Sequence, residues 1–304
     1  MAKINVLIFP AGEINSLELH DALATCVNIN VFGASSIDRH GSYVFENYTS
    51  GLPMITATDF YDKFNELLAK WNIDVVFPTH DTVATVFADN ADKINAKIIA
   101  ADKETSAICR DKEKTYKALA ECDFVPQTFD KIEKYPVFIK PLDGSSSINA
   151  FKVNTAKQLD FFRSYVPNPI VQEMIIGEEF TVDVFCDFNS TPITIVPRRR
   201  LAVRSGEILK GKTTRDYAII KASIDLVEKL KPFGHITLQC IKNDTGIYFI
   251  EINPRFGGGA PMSIVAGANS IENLIKLKKG EKLSYNEDWK DNIIFSRFDN
   301  SVII

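Results

Sequence analysis

A chain of 304 residues is longer than one small core needs, so two or three packed domains are expected. Its 45% hydrophobic and 24% charged residues are the balance of a globular protein and exclude intrinsic disorder. A net charge of −4 leaves no electrostatic case for nucleic acid or an anionic membrane as the main partner.

The first apolar run, Ile4 to Phe9, has strand length and stops at Pro10. It is too short for a signal-peptide core, and no apolar stretch approaches membrane-spanning length. Further strands are predicted at 29–33, 75–78 and 97–101, with helices near 16–24, 59–71 and 82–95. Strands alternating with helices predict a parallel α/β sheet, and ligands of such sheets sit beyond the carboxyl ends of the strands. Residues 10–15 and 79–81 are therefore candidate site loops, although each reads equally as a plain turn. Cys26, Cys109, Cys122, Cys186 and Cys240 are odd in number and scattered, with no CxxC pair. They are expected to be reduced thiols of a cytoplasmic protein.

From about residue 105 the texture changes. A helix at 105–120 is predicted to lead into a short strand at 137–140, a polar loop at 143–149, a helix at 155–163 and a strand at 170–174. Residues 180–188 and 192–197 then alternate like a hairpin, a helix covers 216–231, and a second strand pair spans 236–242 and 246–253. This half reads as α+β with antiparallel sheets. The expected division is an N-terminal α/β domain over 1–104 and a second domain over 105–304, with a smaller lobe at 115–178 and a C-terminal lobe at 179–304.

Three segments carry chemistry. In Ile250-Glu251-Ile252-Asn253-Pro254-Arg255, residues two apart on a strand share a face, so Glu251 and Asn253 present oxygen ligands side by side. Gln239, on the neighbouring strand of that hairpin, can add a third oxygen, a donor set suited to hard Mg²⁺. Arg255 can hold a phosphate bidentately. Either Glu251 or Asn253 taken alone reads as a water-facing residue. In Val137-Phe138-Ile139-Lys140-Pro141, a lysine ending an apolar strand suits phosphate oxygens, and the small-residue loop that follows can form an anion nest or simply a flexible turn. In Gln172-Glu173-Met174-Ile175-Ile176-Gly177-Glu178-Glu179, a strand leaving its sheet offers backbone groups to an adenine edge, or is merely an acidic turn.

The order of these features resembles the ATP-grasp superfamily, especially single units of the carbamoyl-phosphate synthetase large subunit, over residues 1 to 280. The resemblance implies an α/β domain followed by two lobes whose antiparallel sheets clasp ATP. It implies that Lys112 and Lys140 contact ATP phosphates and that Gly144, Ser145, Ser146 and Ser147 close over them. Gln172, Glu173, Met174 and Ile175 would take the adenine, and Glu179 the ribose. Gln239, Glu251 and Asn253 would hold one or two Mg²⁺ ions (or Mn²⁺), and Arg255 would steady the transferring phosphoryl group. Only one such unit is present and no ammonia-producing domain is evident, which argues against complete carbamoyl phosphate synthesis.

Gly206-Glu207-Ile208-Leu209-Lys210-Gly211-Lys212-Thr213 also matches the P-loop pattern in full. The preceding Arg198-Arg199-Arg200 run is too basic for a core strand of a parallel sheet. A mobile basic loop is expected instead, with Lys210 or Lys212 reaching the phosphates. Arg200 and Arg204 are candidates for an acceptor carboxylate or for a solvated strand face, and His80, Asp81 and Gly258 are further substrate candidates. The expected activity is an ATP-dependent carboxylate–amine ligase acting through an acyl phosphate on small molecules, from a possible homodimer. A bicarbonate-activating phosphotransferase and a non-catalytic nucleotide-binding module remain as alternatives.

Overall fold

The computed structural model describes residues 3–24, 26–143, 147–204, 206–298 and 303. In the first part of the chain come β1 (Ile4–Phe9), α1 (Ile14–Ala24), β2 (Ile29–Ala34), β3 (Asn47–Thr49), α2 (Phe60–Lys70), β4 (Val75–Pro78), α3 (Asp81–Asp89) and β5 (Lys97–Ile98). The strands form a wholly parallel sheet in the order β3-β2-β1-β4-β5. Central β1 is apolar except for Asn5 because both its faces are covered. Val6 and Ile8 enter one core with α1, while Leu7 and Phe9 enter another with α2 and α3. In α2, Phe60, Phe64, Leu67 and Leu68 recur at helical spacing and meet Phe9 and Phe87 in an aromatic cluster. The helix expected at 82–95 stops at Asp89, and the strand expected at 97–101 is two residues long.

The helix predicted at 105–120 is two helices, α4 (Lys103–Arg110) and α5 (Lys112–Ala118). Asp111 breaks them: its backbone is extended and its carboxylate accepts from the N–H groups of Glu113 and Lys114. Aspartate stabilises a helix start better than a helix interior. Next come β6 (Val137–Pro141), β7 (Phe151–Val153), α6 (Ala156–Tyr165) and β8 (Pro169–Glu173), whose strands make a small antiparallel sheet ordered β7-β6-β8.

A six-stranded antiparallel sheet follows, built from β9 (Glu178–Cys186), β10 (Pro192–Arg204), β11 (Glu207–Thr213), α7 (Tyr217–Leu230) packed on it, β12 (Gly234–Asn243) and β13 (Gly246–Asn253). The helices α8 (Pro261–Val265) and α9 (Ser270–Lys278) and the edge strand β14 (Ile294–Ser296) complete the chain, and the strand order is β13-β12-β9-β10-β11-β14. Gly177 carries the chain from the small sheet to the large one. A Cβ there would stand 2.3 Å from the Lys242 carbonyl oxygen, so no larger residue makes that crossing without a shift. The parallel sheet shares a core with α8 and α9 through Ile8, Leu19, Phe256, Ile264 and Leu274, which fixes the N-terminal loops against the large sheet.

The segment expected as a mobile basic loop is regular structure. Residues 198–204 pair with 207–213 as an antiparallel hairpin. Thr213 ends a strand and opens no helix, so the P-loop pattern lacks the helix start that gives such a loop its phosphate site.

Candidate active site

A cavity of about 450 Å³ lies between the small and large sheets. Lys140, at the end of β6, is 7% exposed on its wall. Its ammonium donates to the Tyr116 hydroxyl oxygen (2.9 Å) and the Ile250 carbonyl (3.0 Å). Burial, and then the neighbouring Lys112 charge, lower its pKa to about 7 against the opposing pull of Glu251. Lys112 is turned inward by the Asp111 break; its ammonium lies 3.3 Å from the Leu142 carbonyl, and burial lowers its pKa too. The Tyr116 hydroxyl stands 3.1 Å from both the Gln172 side-chain oxygen and the Ile250 carbonyl, and burial raises its pKa.

Gln172, Glu173, Met174, Ile175, Glu179 and Ser147 line the same cavity. Met174 and Ile175 lie between β8 and β9, outside both sheets. Glu179, near the start of β9, lies 3.5 Å from Arg200 on β10. Gly144, Ser145 and Ser146 lie outside the described residues. Phe138 and Ile241 supply apolar wall that sequence reasoning did not single out. Each stands two residues from a named one, Lys140 and Gln239, so strand alternation held the signal.

Beyond Glu251 lies a second, polar cavity of about 80 Å³. Its wall includes Arg198, Arg200, Arg255 and Arg297, with Glu251, Asn253, Gln239 and the glycines 257–259. Register sets Gln239 opposite Glu251 and Thr237 opposite Asn253. The Gln239 amide oxygen accepts from Arg200 at 3.1 Å. Arg255 is clamped by Asp81 from the N-terminal domain, Nε to Oδ1 at 2.5 Å and Nη2 to Oδ2 at 2.9 Å. Burial pushes the Asp81 pKa up, but the Arg255 hydrogen bond and charge outweigh it and the net shift is downward.

Arg198 was not foreseen, although it belongs to the basic run already noted, and neither was Asp183, a lone acid inside an apolar strand. Arg198 is 0% exposed and Asp183 2%. The guanidinium donates to the carboxylate from Nε (2.6 Å) and Nη2 (3.1 Å), while Ser263 and Thr237 (3.4 Å) donate to the same carboxylate. Among the described residues, the Arg198 Nη1 and Arg200 Nε groups are buried without a hydrogen-bond partner. Arg297 on the stretch after β14 donates to Glu18 (2.6 Å), Glu207 (2.9 Å) and the Gly258 carbonyl.

Four expected residues fall elsewhere. Lys212 pairs across the hairpin with Arg199, so its side chain leaves the face that carries Arg198 and Arg200. Lys210 is exposed, and Arg204 stands at the exposed hairpin end opposite Glu207. None of these three lines either cavity. His80 faces a separate N-terminal cavity, and its Nδ1 caps α3 through the Thr82 N–H. Among the described residues no three His, Cys, Asp or Glu side chains gather as a metal cluster, and no helix is long and apolar enough to cross a membrane. All five cysteines are free.

Residues 109–259 match the family model described as an ATP-grasp domain. The 3-methyl-D-ornithine–L-lysine ligase of Methanosarcina mazei is 23% identical over 80% of this chain, and the tyramine–L-glutamate ligase of Methanocaldococcus jannaschii 26% identical over 74%. The chain spans 65% and 69% of their respective lengths. The biotin carboxylase domain of Hydrogenobacter thermophilus 2-oxoglutarate carboxylase superposes with a TM-score of 0.75 at 17% identity, over 97% of this chain and 74% of that one. The likeness to the carbamoyl-phosphate synthetase unit is only approximate. Motif order, fold and family match agree that the chain belongs to the ATP-grasp superfamily.

Proposed function

We propose that this chain is an ATP-dependent carboxylate–amine ligase, with 1–104 as a substrate-side domain and 105–304 as the grasp. A carboxylate oxygen attacks the γ-phosphorus in line, releasing ADP and forming an acyl phosphate. The amine then attacks the acyl carbon, phosphate leaves, and one proton from the nitrogen goes to solvent or a phosphate oxygen. The observation that supports this most is the place of Glu251, which borders both the 450 Å³ cavity and the arginine-lined cavity. Nucleotide and acceptor would meet there. Lys112 and Lys140 would hold phosphate oxygens, and Arg198 and Arg200, with buried unpartnered N–H groups, would hold the carboxylate.

Glu251, Asn253 and Gln239 are a purely oxygen donor set beside the proposed phosphate site, which fits a hard divalent ion. With Arg200 on its oxygen, Gln239 is the ligand that has to be released first. Bound Mg²⁺ would neutralise phosphate charge as it spreads in the transition state. Arg255, fixed by Asp81 on the wall of the arginine-lined cavity, would meet that charge as well.

The size of the arginine cavity favours a second reading, activation of bicarbonate itself, since about 80 Å³ suits an anion of a few oxygens. ADP release from Mg-ATP against pooled carboxylates and amines, with and without bicarbonate, separates the two. Stimulation by one acid–amine pair, lost in Glu251→Ala, supports the ligase. Stimulation by bicarbonate without an amine transfers the assignment, and mutant-insensitive ADP release in every mixture refutes both.

A further inference from the structure

The parallel sheet has a cavity of its own, about 400 Å³, at the carboxyl ends of β1, β2 and β4. Pro10 follows β1, Ser35 follows β2 and His80 follows β4, and all three line it. The strand order reverses direction between β1 and β4, the crevice where open α/β sheets take ligands. Phe9, Pro10, Ile37, Met54, Ile55 and Val83 make the cavity's apolar wall, beside Ser35, Ser36, Thr56 and Thr82. Ile37 and Met54 are each 55% exposed, so two large apolar side chains are left to water beside the cavity.

The two charged side chains that reach it, Glu13 and Arg39, are paired with each other. The Ser36 hydroxyl is spent on the Pro53 carbonyl and His80 Nδ1 on the Thr82 N–H. A ligand is thus offered apolar surface with no unpaired carboxylate or guanidinium among the described residues that line it. A single loop separates this cavity from the arginine site. His80 faces the one, and the next residue, Asp81, lines the other and holds Arg255. Asn15 donates to the Thr79 carbonyl at 2.7 Å and ties that loop to the start of α1.

We propose that this N-terminal cavity receives the uncharged, apolar body of one of the two substrates, leaving its reacting end to the arginine-lined cavity. The proposal rests on the ligase reading for the word substrate, and on geometry alone for the binding. Small-molecule pockets of roughly 300–1,000 Å³ bury most of their ligand, and this one falls within that range. Selectivity would then lie in the N-terminal loops, while the large sheet handles only the head group.

The test is calorimetric binding to the intact chain of two matched pairs, 4-phenylbutyrate against butyrate and 4-phenylbutylamine against butylamine. The expected result is that the phenyl member of one pair binds at least tenfold more tightly than its short partner. The pair that shows the gain says whether acid or amine uses the cavity. Ile37→Glu and Met54→Glu, at exposed positions that the fold tolerates, should each remove most of that gain and leave nucleotide affinity unchanged. A gain absent from both pairs, or one that survives both substitutions, overturns the proposal. So does sedimentation showing that Met54→Glu splits a dimer without altering probe binding, which would assign the apolar rim to a second copy. Because binding is read without turnover, an inert Glu251→Ala substitution would sink the ligase reading while leaving this result standing.

Discussion

Nucleotide binding should draw a proton into the protein at Lys140. Burial, and then Lys112, hold its pKa at about 7, against roughly 10.4 for a lysine in water. At pH 8 roughly nine in ten free molecules therefore carry it neutral. A phosphate oxygen against the ammonium restores the charged form, so binding takes up as much as about one proton. Each pH unit above the free pKa then costs about 1.4 kcal/mol, a tenfold loss of affinity. Folding stability runs the other way. Between about 7 and roughly 10.4 the unfolded chain binds more protons than the folded one, so the ligand-free protein gains stability as pH rises through that window. The assay is titration calorimetry with a non-hydrolysable ATP analogue from pH 6 to 9, in buffers of different ionisation enthalpy. Comparison with Lys140→Met removes the nucleotide's own titration and any share belonging to Lys112, whose pKa is lowered too. Equal proton uptake in the two proteins, or an affinity that stays flat from pH 7 to 9, would refute the reasoning.

The buried Asp183–Arg198 pair makes a stability prediction. Asp183→Ala strands a fully buried guanidinium and should cost about 3–5 kcal/mol, read as a lower urea midpoint at unchanged slope. Gly259→Ala places a methyl 2.4 Å from Arg198 Nη1, so the cost should appear in kcat/KM for the acid while nucleotide affinity holds. Lys212→Ala should leave nucleotide affinity within about twofold, because its side chain points away from the site, whereas Lys140→Ala should lower it at least tenfold. The reverse order would reinstate the P-loop pattern.

Local pattern was enough for most of the longer elements and for part of the site, while β3, β7, α8, α9 and β14 went unread. The apolar run of β1, the helical spacing of Phe60 and Phe64 and the alternation in β13 each state their geometry within a few residues. Glu251 and Asn253 share a face because strand pleat requires it, and the hairpin turn carries Gln239 opposite Glu251. The basic segment was read as a mobile loop because its charges oppose a buried parallel strand. Nothing local shows that an antiparallel hairpin can hold Arg198 against Asp183 and turn Lys212 the other way.

Sequence by itself determined most of the longer strands and helices, and the order of motifs that marks the superfamily, because both depend on neighbours along the chain. Tertiary structure decided the rest. It placed Asp81 against Arg255, 174 residues away, and Arg297 against Glu18, 279 residues away. It gathered four arginines around one small cavity, and it left an apolar pocket one loop removed from them. These are contacts between distant segments, set by how the parallel sheet packs on the large antiparallel one, and no local periodicity encodes that docking.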